Sequence, residues 1–374
     1  MTILLWILGI LAVPVLLFGL WLAGVFLKEF FSPSPDDDDD DADDGVRAAE
    51  AAAALGLLPS DRQDTAYAGP LPDDWRAALD AVRADDWRPA ADLLAAIGRD
   101  WEGRAAFSYA LSQLAVREDD WLLAWEAERA DDPDAALVRA RSTVGLAWEI
   151  RGARRATYTT GEQFEGFHRT LRTAREQVAR AAALHPDDPT PYIAETWIAL
   201  GLGYPNSAMD KLWSEITARA PHHFEAHFAA LQYWCAKWSG SERLATAFAE
   251  RAAAQAPPGS LLTAFPLIAH FEHDESADTE ADSTPEMIAR VDAALVDAAA
   301  ADPAHPRLPE LRHLLAFYLS LQGREEAALE QFRLVDGHVN ALPWRYRVDR
   351  AGYYCQVRDA TVAAARATHG TPPA

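Results

Sequence analysis

The 374-residue chain carries 57 Asp and Glu against 34 Lys and Arg, a formal net charge of −23. That balance opposes the phosphate contacts on which nucleic-acid binding depends, so nucleic acid is excluded as an expected partner. The two cysteines, Cys235 and Cys355, lack a C-x-x-C neighbour and do not fix the redox compartment.

The first predicted element is a membrane span. Residues Ile3 to Leu27, with Trp6, Pro14 and Trp21 among them, contain no charged side chain. A helix of that length reaches about 37 Å, enough to cross a hydrocarbon core with some tilt. Membrane helices tolerate a proline such as Pro14. A cleaved signal peptide would need a basic n-region, a shorter apolar core and a small-residue cleavage site, and none of these is visible. Lys28 follows the span directly and no basic residue precedes it. The expectation is a single-pass membrane protein with its soluble domain in the cytoplasm.

An acidic tether comes next. Eight aspartates fall between Asp36 and Asp44, just after SPSP. Such a run cannot form a core and is extended by its own repulsion. It reads as a solvated spacer, with a docking tail for a basic surface as the alternative. A calcium loop lacks its spaced ligands and glycine turn. A short alanine-rich helix and a loop complete the segment. The expected boundaries are 1–31 for the anchor, 32–71 for a disordered tether with a short helix, 72–366 for a helical domain and 367–374 for a disordered tail. Within the domain, 272–286 (EHDESADTEADSTPE) reads as an acidic disordered insertion.

From Pro72 onward the pattern is helix after helix, without strand-like alternation, so the fold class is all-α. Asp74, Asp86, Asp100 and Asp120 each precede a tryptophan and are expected N-caps. Trp87, Ala90, Leu94 and Ile97 share one helical face. DDW at 85–87 recurs at 119–121, a period of 34, and Pro186, Pro221 and Pro257 follow at periods of 35 and 36. Helical hairpins of this length cannot bury their apolar faces alone, which predicts a stacked α-solenoid.

The pattern resembles tetratricopeptide repeats. Ala174, Val178, Ala181 and Pro186 fit that motif's small–bulky–small–proline spacing, and Gly323, Ala328 and Phe332 of GREEAALEQF fit its middle. The unit around Pro221 departs from it, with Met209 and Ile216 at the small positions. AWEIRG (147–152) and KWSGS (237–241), set within degenerate hairpins, resemble a bacterial domain family that has no assigned function; the resemblance implies the fold and no activity. KWSGS is expected to form a sharp turn with Ser241 capping the next helix, and GLGYPN (201–206) a helix end broken by glycine.

No catalytic residue is assigned and no cofactor is expected. His223 and His227 lie four apart, as two zinc ligands would, but Glu225 is misplaced for an H-E-x-x-H base, and Cys235 is the one nearby further ligand. These are read as helix-start and packing residues and rejected as a metal site. Nine arginines fall between 139 and 180: Arg139, Arg141, Arg151, Arg154, Arg155, Arg169, Arg172, Arg175 and Arg180. Arginine forks suit carboxylates, so Arg151, Arg169, Arg172 and Arg175 are the candidate partner-binding residues; the bland alternative is a solvated basic face. The expected function is a membrane-tethered helical-repeat scaffold for an unidentified protein or peptide. The alternatives are a hydrolase-type or metal-dependent enzyme with a site assembled from separated residues, and a structural assembly subunit.

Overall fold

The computed structural model describes residues 38–152, 159–274 and 279–370. The expected anchor, with Ile3, Trp6, Pro14, Trp21 and Leu27, lies outside the described residues, as do Arg154 and Arg155. Among the described residues no helix is long and apolar enough to cross a membrane.

The described chain is all-α. Its helices are α1 (Asp38–Ala54), α2 (Asp73–Arg83), α3 (Arg88–Ile97), α4 (Trp101–Arg117), α5 (Asp120–Glu128), α6 (Pro133–Arg151), α7 (Gly161–Leu184) and α8 (Thr190–Leu202). They continue with α9 (Asn206–Arg219), α10 (Phe224–Trp234), α11 (Glu242–Ala254), α12 (Phe265–His273), α13 (Pro285–Ala300), α14 (Leu308–Leu321), α15 (Glu325–Val335) and α16 (Arg350–Gly370). An isolated bridge between Asp64 and His338 is the sole β-type pairing among these residues.

Helix starts follow local chemistry. Asp100 accepts from the Gly103 N–H, Asp132 from Asp134, Ser241 from Leu244 and Thr284 from Met287, while Thr160 and Gln163 form a reciprocal capping box. The other three expected aspartate caps are displaced by one or two residues. Asp74 lies inside α2, Asp119 rather than Asp120 stands at the cap of α5, and Asp86 accepts from the Arg88 N–H ahead of α3. Gly203 ends α8 in the left-handed region (φ 66°), as the breaker reading predicts.

Most helices pack on their chain neighbours, but α1 packs on α16 instead of α2, and α8 receives both α9 and α10. In addition α4, α6, α8 and α10 touch one another, forming an inner layer that curls tightly enough for α4 to meet both α8 and α10. The stacking explains the repeats. Trp87 and Trp121 of the two DDW motifs enter one core cluster, where Trp87 lies nearly parallel to Trp125 at 5.4 Å. Ala174 and Val178 are buried in the next cluster, Ala181 is buried as well, and Ala328 and Phe332 lie in the large C-terminal cluster.

The described parts of the two acidic segments pack on the domain. The segment 32–71 is not a free tether over its described part. Helix α1 begins within the aspartate run, where carboxylates favour a helix N-terminus and the alanines beyond propagate it. Its Ala51 and Ala52, with Leu57, pack against Leu329, Val362 and Ala365. Leu58 offers its carbonyl to the buried Arg358 at 2.7 Å, its N–H bonds Asp336 at 2.7 Å, and the Ala68 carbonyl accepts from His313 at 2.9 Å. The chain thus caps the last helices of the solenoid before it enters the first. The insertion 272–286 is also largely built in. Glu272 lies in the last turn of α12 with its carboxylate buried, a 3-10 turn spans Thr279–Ser283, and Asp282 is buried.

Candidate functional site

The arginine-rich stretch does not form one basic face. Arg139 is held by Glu126 and Asp119 at 2.8 and 2.6 Å. Arg141 is buried, and Arg180 reaches the Ala130 carbonyl and Asp131. Of the four candidate binding residues, Arg169 and Arg172 stand exposed on α7, and Arg175 lies over the Tyr204 ring at 5.5 Å. Arg151, at the end of α6, goes elsewhere.

Arg151 belongs to AWEIRG, and the structure brings that motif onto KWSGS. The Trp148 and Trp238 rings meet edge to face at 5.4 Å, and the Arg151 guanidinium lies over both, 5.6 Å from Trp148 and 5.0 Å from Trp238. The tight turn that delivers Trp238 requires Gly240, because a Cβ there would overlap the Trp234 carbonyl. Its other end is fixed by Ser241, which caps α11. Trp148 also contacts Phe167 at 4.9 Å and Trp197 at 6.2 Å, and Trp197 lies 6.3 Å from Phe228, under Arg345. The result is a row of rings, Trp238, Trp148, Trp197 and Phe228, each partly exposed, with an arginine at either end.

The electrostatics of the two ends differ. Arg151 donates to the Gly152 carbonyl at 3.2 Å and has no carboxylate partner among the described residues. Burial depresses its pKa, as expected for a cation partly desolvated by indole rings without an opposing charge. The buried Trp148 Nε1–H also lacks a partner among the described residues. Arg345, by contrast, terminates a buried ionic chain. Arg141 and Arg307 clamp the two oxygens of Glu225 at 2.5 and 2.7 Å. Arg307 and Arg345 do the same to Glu310 at 2.6 and 2.9 Å. These groups come from α6, α10, the start of α14 and the Trp344–Tyr346 turn, so the chain of charges ties the two halves of the solenoid together. Burial alone would raise the carboxyl pKa values; the flanking guanidiniums outweigh it and hold both below the usual range. Burial would likewise lower Arg307, but Glu310 and Glu225 keep it above its ordinary value. A second triad, Arg104 with Asp134 and Asp188, pins α4, α6 and the start of α8.

The histidines serve the fold. His223 caps α10 through Nδ1 and meets the Trp101 carbonyl with Nε2 at 3.0 Å; His227 Nδ1 meets the His223 carbonyl at 2.9 Å beneath Trp213. Glu225, ion-paired on both oxygens, is not placed as a base for them. The Cys235 thiol is buried, and desolvation followed by the Glu272 charge pushes it up to about 12. The sequence reading missed the role of Glu225. The available signal was a charged residue on a helix, FEAHFAALQYW, that is apolar on nearly every side.

No family model, curated protein or solved structure matches the chain.

Proposed function

We propose that the chain is a membrane-tethered helical-repeat scaffold, related to tetratricopeptide repeats, that binds an acidic peptide segment of a protein partner on the Trp148–Arg151–Trp238 platform. The observation that carries this reading is the meeting of two motifs about ninety residues apart in one partly exposed aromatic surface, beside an arginine without a carboxylate partner among the described residues. Aromatic rims paired with arginine are the usual anchors of protein recognition, since they give large rigid contact area and directional donors. The guanidinium fork supplies two parallel donors for a carboxylate, and the row towards Phe228 offers apolar contact for the flanking residues. Residues Ile3–Leu27 would anchor the scaffold with its domain on the cytoplasmic side, raising the effective concentration of partners at that membrane.

Selection from a displayed peptide library tests the reading. Enriched sequences should carry acidic and aromatic or aliphatic residues, bind the wild-type chain, and lose binding to Arg151→Glu and Trp238→Ala. Absence of enrichment, or equal binding to both variants, would reject it.

A further inference from the structure

A cluster of ligating groups lies where the acidic insertion leaves α12 and returns to α13. His270 is in the last turn of α12, Asp274 is the residue after it on the same helical side, and Asp282 lies in the turn before α13. The His270 Nε2 is 2.9 Å from Asp282 Oδ1 and 3.8 Å from Asp274 Oδ2, and one ligand atom from each of the three residues lies within 4.8 Å of the other two. We propose that His270, Asp274 and Asp282 form a site for a divalent first-row metal ion that ties the end of α12 to the turn before α13.

Three features carry the inference independently of the peptide platform. The donor set is one imidazole nitrogen and two carboxylate oxygens, which suits zinc or manganese better than a soft-metal or all-oxygen site would. The spacing is close to that of ligands on one ion: donors about 2.0–2.2 Å from a metal sit roughly 3–4 Å from each other, the two His270 contacts are 2.9 and 3.8 Å, and all three atoms lie within 4.8 Å. The supports are rigid. His270 and Asp274 are one helical turn apart, and Asp282 is buried and anchored through its carbonyl by the Gln322 side chain at 2.9 Å. A divalent ion would offset the charge of the two carboxylates that flank the His270 imidazole. Ligation needs the neutral ring with its proton on Nδ1, in place of the present Nε2 contact with Asp282. It would also stiffen the end of α12, where Glu272 holds Lys237 of KWSGS at 2.5 Å and Gln232 at 2.7 Å.

Equilibrium dialysis of the full-length chain against Zn²⁺ and Mn²⁺ tests this, with Co²⁺ substitution read by its visible ligand-field spectrum. One ion per chain is expected. Asp274→Asn, the mildest change, and His270→Ala should each weaken binding by more than about tenfold, since even outer partners of a metal are worth 10–100-fold. His222→Ala, on an exposed histidine outside the cluster, should leave binding unchanged. Circular dichroism of each variant separates lost ligation from lost fold. No saturable binding of either ion, or equal binding by folded Asp274→Asn and His270→Ala, would overturn the proposal.

Discussion

The Arg151 guanidinium lies 5.0 Å over the Trp238 ring, joining the end of α6 to the turn before α11. The contact is a cation–π pair of the kind worth about 0.5–2 kcal/mol, depending on desolvation. It is also the point at which two otherwise unrelated stretches of sequence become one surface.

The turn that presents Trp238 should be intolerant of a side chain at Gly240. Gly240→Ala must displace the backbone at Trp234. Peptides selected on the wild type should bind it more than about tenfold more weakly, which corresponds to 1.4 kcal/mol, while its helical circular dichroism remains. Isothermal titration reads the change, and unaltered affinity would mean that the turn does not set the platform.

Glu225 should be a point of high structural cost. Glu225→Ala leaves Arg141 and Arg307 buried against each other, and breaking a buried pair from one side costs about 3–5 kcal/mol. Arg169→Ala and Arg172→Ala, on the exposed side of α7, should stay within about 0.5 kcal/mol. Urea denaturation compares the three, and a Glu225→Ala loss no larger than those of the α7 variants would refute the hub as a stabilising device.

Acidification should unfold the domain through its buried histidines. Burial depresses both His227 and His313 to about 4, outweighing their hydrogen bonds to the His223 and Ala68 carbonyls. The unfolded chain, with an ordinary value near 6.5, takes up the proton first. Stability from these groups is therefore complete above pH 6.5 and is lost as pH falls through 6.5 towards 4, by at most about 3 kcal/mol for each histidine. Replacing His227 with Gln should flatten the pH dependence of unfolding free energy in that window. An unchanged slope would show that His227 titrates normally in the folded state.

The N-terminal cap predicts where truncation is tolerated. A chain beginning at Gly45 keeps Leu57, Leu58 and Ala68 on the last helices and should melt cooperatively. One beginning at Pro72 strips the Leu58 carbonyl from Arg358 and the Ala68 carbonyl from His313. Its thermal midpoint should drop or its transition broaden, as buried donors left unpaired cost about 1–3 kcal/mol each. Identical melts would show that residues 45–71 contribute nothing to the domain.

The architecture was legible because it rests on short-range patterns. Helix periodicity, DDW, the Ala174–Val178–Ala181 spacing and the Ser241 cap are all local, and local chemistry decides them. The tertiary roles of charged residues were not legible. Arg141 and Arg169 look alike in sequence, yet one is buried against Glu225 and the other faces solvent. That difference depends on α6 meeting α10 and α14, which no local pattern encodes. The acidic segments misled for the same reason: a run of carboxylates reads as solvated until a partner such as Lys237, facing Glu272, is placed beside it. Arg151 and Trp238 lie in separate local motifs, and only the stacking of the helices brings them together.

A double-mutant cycle between Arg151 and the acidic residue of a selected peptide tests the binding platform most directly. Arg151→Ala, the peptide's acid-to-alanine change and their combination would be measured by isothermal titration at fixed salt. A coupling energy of about 1.5 kcal/mol or more, the lower end seen for close charge pairs across interfaces, is the expected result. Strictly additive losses would mean that the carboxylate does not meet Arg151, and the platform would not be the site of recognition.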